Sequence, residues 1–221
     1  MDKKILIILL FLTFCSAKSQ ENFREFKYYD IYEDYVSNKP IEPIVNTEIK
    51  ELNSEYIKIG KKFDKITNKK SKIENSAWAL EYQNNLYFNM IYASYIYEWD
   101  TFAKFDIIGK NYMLVILDEK KERKAIGTNN PYGGSAVGVL LNMKPKSSWL
   151  DNKGNTFKIL LIDRINPLRI KASGIKNVLA YLVDTKKILE LSQNNPETIE
   201  KLKNQNYKLE DFVELINILN K

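Results

Sequence analysis

The sequence predicts an α+β fold: a mainly antiparallel sheet built of hairpins, with a short N-terminal helix and two to three C-terminal helices. Three observations carry that expectation. From about residue 44 to 117 the signals are strand-like, and the apolar runs at 76–91, at 101–117 and around 151–162 carry tight polar turns, shorter than the dozen or so residues a parallel crossover needs. After Asp184 the apolar spacing becomes helical. Helices gathered behind a strand-rich region are segregated from it, which is the α+β pattern.

In chain order, residues 1–20 read MDKKILIILLFLTFCSAKSQ. Lys3 and Lys4 give a positive start, Ile5 to Phe14 an apolar run, and Cys15-Ser16-Ala17 a small-residue site. This is the three-part signature of a secretory signal peptide, cleaved near Ala17 to Gln20. As a helix the apolar run covers roughly 15 Å, about half of a hydrocarbon core, so it is too short to span. Leu12-Thr13-Phe14-Cys15 also carries the Leu and Cys of a bacterial lipobox, which would make Cys15 the acylated first residue of an anchored chain. Phe14 departs from that pattern, where a small residue is expected. No later segment reaches spanning length, so the mature chain is expected to have no transmembrane span. Residues 21–221 are expected to form a single α+β domain, since about 200 residues suffice for one core.

Tyr28, Ile31, Tyr32, Tyr35 and Val36 recur at helical spacing, predicting a short amphipathic helix over 28–36 that ends before Pro40. Ile44 to Ile49 and Tyr56 to Ile59 read as short strands. Ser76 to Tyr82 and Leu86 to Ile91 read as a hairpin closed by Asn84-Asn85, because asparagine tolerates positive φ. A second hairpin joins Thr101 to Ile108 with Tyr112 to Leu117 across Gly109-Lys110-Asn111. The segment 118–124, DEKKERK, reads as a polar hairpin tip. A further turn at 151–155 leads into Thr156 to Ile162, and Asn177 to Val183 is a last strand. Asp184 can cap a helix over Thr185 to Gln193. Asn195-Pro196-Glu197 places a cap, a proline at the first position and an acid in the first turn of a helix reaching about Gln205. Leu209, Phe212, Val213, Ile216 and Leu219 then form one helical apolar face.

Composition excludes several kinds of chemistry. The chain has no histidine, and its only cysteine, Cys15, lies in the leader. Ser-His-Asp and Cys-His catalysis, His or Cys zinc sites, haem and iron–sulfur ligation and disulfides are therefore not expected in the mature chain. No cofactor is implied. Lys and Arg number 34 against 28 Asp and Glu, a net of +6.

The segment from Gly127 to Gly138, GTNNPYGGSAVG, has the outer glycine spacing of a phosphate loop between Gly133 and Gly138. Val139-Leu140 stands where the lysine and hydroxyl residue would be. It reads as a turn followed by a close-packing small-residue segment. In Ile91 to Asp100, strand alternation puts Tyr95, Tyr97 and Trp99 on one face and Glu98 and Asp100 on the other. Such rings are core in most domains. Exposed beside acids they would form a sugar- or peptide-binding face. Carboxylate pairs can run glycoside hydrolysis without histidine. Glu81 with Asp106 and Glu98 with Asp100 are the candidates, while Asp163-Arg164 is expected to form an ion pair. Lys61, Lys62, Lys65, Lys69, Lys70 and Lys72, opposed by Asp64, form a basic run that reads as a solvated loop or as a contact for an anionic surface polymer.

The order of parts carries a resemblance. A leader is followed by YVSNKPIEP after a Tyr/Asp-rich helix, then NPYGGSAVG, then YLVDTKKILEL running into NNPETIEKL. This resembles secreted domain-of-unknown-function families of Gram-negative bacteria across most of residues 20–221. The resemblance implies export and a single α+β domain and carries over no catalytic residue. The expectation is an exported cell-envelope protein, periplasmic or extracellular, acting as a non-enzymatic binding or structural module. Its partner would be an envelope protein or an anionic surface polymer, not nucleic acid. The alternative is a carboxylate-dependent hydrolase or glycan-binding domain using the aromatic face.

Overall fold

The computed structural model describes residues 26–41, 45–64, 77–94, 100–126, 148–172, 175–192, 195–204 and 206–221. The first elements are β1 (Lys27–Tyr29), α1 (Tyr32–Val36), β2 (Val45–Glu51), β3 (Tyr56–Asp64), β4 (Ala79–Tyr82) and β5 (Asn85–Asn89). A 3₁₀ turn (Met90–Tyr92), β6 (Thr101–Lys104), β7 (Ile107–Ile108), β8 (Tyr112–Asp118) and α2 (Glu119–Ile126) follow. Then come β9 (Trp149–Leu150), β10 (Thr156–Asp163), β11 (Arg169–Ala172), β12 (Ile175–Val178) and β13 (Tyr181–Leu182). The chain closes with α3 (Thr185–Leu191), α4 (Pro196–Lys203) and α5 (Leu209–Leu219).

The strands form a six-stranded sheet in the order β1-β4-β5-β6-β3-β2 and a five-stranded one in the order β13-β10-β8-β7, with β9 beside β10. A small ribbon pairs β11 with β12. The pairings between these strands are antiparallel, so the chain is α+β and mainly sheet, as its short turns imply.

Strand periodicity sorts the core into layers. Ala79, Phe88, Ala103 and Tyr56 are successive register partners across the first sheet, alternating small and large on its inner face. Met113, Val115 and Leu117 of β8 and Leu160 and Ile162 of β10 meet that face. The intervening residues, Tyr112, Leu114, Ile159 and Leu161, point the other way and pack on the C-terminal helices through Ile188, Phe212, Leu215 and Ile216. Both faces of β8 and β10 are thus buried, which is why YMLVILD and TFKILLID read as near-continuous apolar runs.

Trp78 lies at the centre of the layer between the sheets, fully buried. Its indole N–H donates to the Val178 carbonyl at 3.1 Å. The Tyr32 and Phe88 rings meet it edge-on at 5.0 and 5.8 Å, and Tyr35 and Phe105 lie tilted at 5.5 and 6.0 Å. Two wholly buried asparagines close the gaps that the aromatics cannot. Asn89 donates to the Ala77 carbonyl at 2.7 Å and accepts from the Ile91 amide at 3.1 Å, starting the 3₁₀ turn. Asn177 donates to the Asp30 carbonyl at 2.8 Å and accepts from the Tyr32 amide at 3.0 Å. Ile31 has no side-chain acceptor to cap α1, so Asn177, 145 positions beyond Tyr32, takes the first amide of the helix.

Several sequence expectations are corrected. Tyr28 and Tyr29 belong to β1, paired with Leu80 and Ala79, and the helix begins only at Tyr32. Sheet pairing there wins over a helical period. The first hairpin turns on Gln83 and Asn84, with φ of 49° and 60°, one residue earlier than Asn84-Asn85. The segment from Thr101 to Ile108 is two strands in two sheets. The Phe105 amide bonds Leu86 of the first sheet at 3.0 Å, and the Asp106 amide bonds Leu114 of the second at 2.9 Å. The expected hairpin tip at 118–124 is the end of β8 and the start of α2, because the Asp118 carboxylate accepts from the Lys120 amide at 2.8 Å and the Lys121 amide at 3.3 Å. The strand expected over Asn177 to Val183 is broken where Ala180 bridges in parallel to Ala93, and β11 is a strand beyond those expected, paired with β12. Asp184 and Asn195 cap α3 and α4 as expected, at 2.8 and 3.1 Å. Leu215 joins the buried face of α5, with Val213 and Leu219 at its margins.

Trp78→Ala is expected to cost about 3–5 kcal/mol, as for a fully buried large aromatic. Urea denaturation checks it against Ile218→Ala, a half-exposed position expected to stay within about 0.5 kcal/mol. Similar midpoint shifts for the two would show that the indole is not central to the core.

Candidate functional site

The residues singled out in the sequence are only partly described. Tyr95, Tyr97, Glu98 and Trp99 lie outside the described residues, as do Lys65, Lys69, Lys70, Lys72, Cys15 and the Gly127–Gly138 segment. At its described ends the predicted strand from Ile91 to Asp100 is overturned. Ile91 and Tyr92 are buried in the 3₁₀ turn, and Asp100 sits in a left-handed turn (φ 68°) whose carbonyl accepts from the Ile59 amide. Lys61 and Lys62 stand in β3 rather than in a loop. There a bulge sets Gly60 and Lys61 against Glu48, while Lys50 and Lys58 face each other across the ribbon. The Asp163-Arg164 ion pair is not formed. The Asp163 carboxylate accepts from the Ile165 and Asn166 amides and lies 3.7 Å from Lys187, whereas Arg164 donates to the Tyr32 hydroxyl at 3.1 Å and the Gly109 carbonyl at 2.6 Å. Glu81 accepts from the Tyr29 hydroxyl at 3.4 Å and does not pair with Asp106.

The residues that do converge are Glu55, Tyr56, Asp106, Asp118, Lys121 and Glu122. The Asn53 side chain accepts from the Glu55 and Tyr56 amides at 2.8 and 3.0 Å, a turn that launches β3 with its first ring directed inward. The Glu55 carbonyl then accepts from the Lys104 amide at 2.8 Å, fixing that turn to β6. Asp106 arrives where the chain crosses between the sheets, and its carboxylate accepts from the Ile116 amide at 2.6 Å. Asp118 caps α2. That helix extends Lys121 to the Glu55 carboxylate and Glu122 to Lys158 of β10, the latter at 3.0 Å.

Two polar atoms of consecutive residues are buried here with no hydrogen-bond partner: Glu55 Oε2 and the Tyr56 hydroxyl. A buried polar group left unpaired costs about 1–3 kcal/mol, so such a pair is uncommon. Tyr56 is fully buried, and burial above all raises its pKa. The charges of Glu122, Glu55, Asp106 and Asp118 raise it further. The Tyr207 hydroxyl, also buried and unpartnered, lies in the helix layer with only Asp211 as charged company. Crowding by the surrounding chain, and then the Glu55 charge, push the Asp106 carboxyl up to about 6. The Ile116 amide, Lys104 and Lys121 oppose that shift. Asp106 as a whole residue is exposed, so solvent weakens the effect.

Chemically this is an acceptor-rich, partly dry corner with one carboxyl, that of Asp106, held above the usual carboxylate range. Sequence reasoning noted Asp106 but not Glu55 or Tyr56. A Glu-Tyr step at a strand start is ordinary, and its lack of partners arises from elements 50 to 70 residues further along the chain. Among the described residues no group of three or more Asp, Glu, His or Cys side chains is placed to hold a metal ion. Among the same residues no helix is long and apolar enough to cross a membrane.

A carboxyl whose pKa is higher in the fold than in the unfolded chain weakens the fold once it ionises. For Asp106 that penalty sets in between about pH 4 and about pH 6 and is absent well below that window. Asp106→Asn is therefore expected to raise the urea midpoint at about pH 8, and to lose most of that gain by about pH 4. A gain of the same size at both values would show that the ionised carboxyl is not the cause.

Comparison of the chain with protein-family models, with curated proteins and with solved structures finds no match.

Proposed function

We propose that this chain is an exported, non-enzymatic binding module of the cell envelope, and that it recognises its ligand at the Glu55–Tyr56 corner beneath α2. Export rests on the leader, with Lys3, Lys4, the apolar run and the small-residue site in order. Binding rests on one observation: Glu55 Oε2 and the Tyr56 hydroxyl, on consecutive residues, are both buried and unpartnered. The carboxylates around them are occupied, Asp118 in capping α2, Glu122 with Lys158 and Asp106 with the Ile116 amide. Recognition groups are thus what the corner has left to offer. Stability alone gives no reason to keep a buried hydroxyl without a partner, since phenylalanine would fill the same space.

The raised pKa of Asp106 favours a second reading, a carboxylate-dependent hydrolase in which Asp106 carries a proton beside Glu55. Turnover of chromogenic glycosides that is lost in Asp106→Asn would favour it, and no turnover by the unaltered protein removes it.

Tyr56→Phe decides the first reading. The variant is expected to be more stable by about 1 kcal/mol, a rise of about 2–4 °C in the unfolding midpoint, because it deletes an unsatisfied hydroxyl and nothing else. A destabilised variant would make the hydroxyl structural and sink the binding site. Mass spectrometry of the exported protein checks the leader. A free N-terminus near Lys18 to Glu21 is expected, and a lipid on Cys15 would replace a free module by an anchored one.

A further inference from the structure

We propose that the Glu55–Tyr56 corner takes a ligand bearing an ammonium or guanidinium group, which enters by displacing Lys121 from Glu55. This rests on the reading that the corner is a binding site and names the class of ligand it takes. The first argument is hydrogen-bond complementarity. Glu55 Oε2 is an acceptor without a donor, and the charges of Glu122, Glu55, Asp106 and Asp118 all act on the Tyr56 hydroxyl. What fits such a lining must bring donors.

The second argument is charge. Four carboxylates, Glu55, Asp106, Asp118 and Glu122, act on Tyr56, and three lysines, Lys104, Lys121 and Lys158, are engaged with them. One of the three is the group to be exchanged. Without Lys121 the corner has a clear excess of negative charge, although the chain as a whole carries a net of +6. A neutral polyol would leave that excess uncompensated, whereas a cation restores the balance.

The third argument is the way in. The Lys121 side chain is 45% exposed and that of Glu55 28%, while Glu55 Oε2 and the Tyr56 hydroxyl are dry. Lys121 is therefore the more exposed partner, with its ammonium on Glu55 Oε1, while Glu55 Oε2 and the phenol are shielded from solvent. An ion pair this exposed holds weakly, so a ligand cation that also reaches the two shielded oxygens can replace it. The chain's own lysine marks the kind of group the site accepts.

Titration calorimetry of the purified protein with agmatine, which carries both a guanidinium and an ammonium group, tests the proposal, with sorbitol as the uncharged hydroxyl-bearing control. Agmatine is expected to bind. Glu55→Gln is expected to weaken it at least about tenfold, the worth of a charge-assisted hydrogen bond. Lys121→Met, which removes the competing ammonium and leaves Glu55 in place, is expected to tighten it several-fold. Affinity unmoved by both substitutions, binding of sorbitol as tight as that of agmatine, or no binding of agmatine would each overturn the cationic class. If Tyr56→Phe is stabilised and agmatine still fails to bind, the ligand class alone has failed. If Tyr56→Phe is destabilised, the site itself has failed.

Discussion

The structure depends on the burial of one indole. Trp78 is the residue at which the first sheet, α1, the β11–β12 ribbon and the chain's crossing between the sheets all meet, through Phe88, Tyr32 and Tyr35, the Val178 carbonyl and Phe105. An aromatic of that size removes a large apolar area from water, and its N–H then requires an acceptor in the dry interior. The acceptor is a backbone carbonyl exactly one hundred residues along the chain, so packing the ring also sets where β12 runs. Disulfides are not available to a chain whose only cysteine is Cys15, and edge-on ring contacts take over part of the task of fixing relative positions.

Buried and half-buried amides and one guanidinium complete the work of the rings. Asn89 and Asn177 hold carbonyls and amides that the ladders leave open beside Trp78. Arg164 spans from Tyr32 to the Gly109 carbonyl and lies 6.0 Å from the Tyr35 ring. Asn220 accepts from the Asn111 and Tyr112 amides at 3.0 and 2.8 Å, fastening the C-terminus to the β7–β8 turn, and leaves no room for a side chain at Gly109. Each of these groups satisfies backbone atoms distant in sequence, so each acts as a long-range constraint as well as a hydrogen bond. Among the described residues the same polar economy fails at three buried side-chain atoms, the Tyr207 hydroxyl in the helix layer and, on consecutive residues, Glu55 Oε2 and the Tyr56 hydroxyl.

Much of the architecture was legible in the sequence. The hairpin of β4 and β5, the strands β2, β3, β8 and β10, and the caps Asp184 and Asn195 follow from local rules of turn chemistry, alternation and helix starts. The errors share one cause. Tyr28 and Tyr29 obeyed a helical period but were drawn into β1 by pairing with β4, and the segment from Thr101 to Ile108 was divided because consecutive amides bond to different sheets. Asp118 is the exception. Its capping role before Glu119 was available locally and was outweighed by the charge of the DEKKERK run.

By itself the sequence determined the class of fold, the absence of histidine and the presence of a single cysteine, since these follow from composition, short turns and periodicity. Only the tertiary structure decided the site. The charged surroundings of Glu55 and Tyr56 come from the crossover at Asp106, the cap at Asp118 and α2, and no local pattern encodes which of the polar atoms end up unpaired. Hydrogen-bond satisfaction is a property of the assembled interior, because a donor or acceptor is orphaned only once every neighbour has been placed.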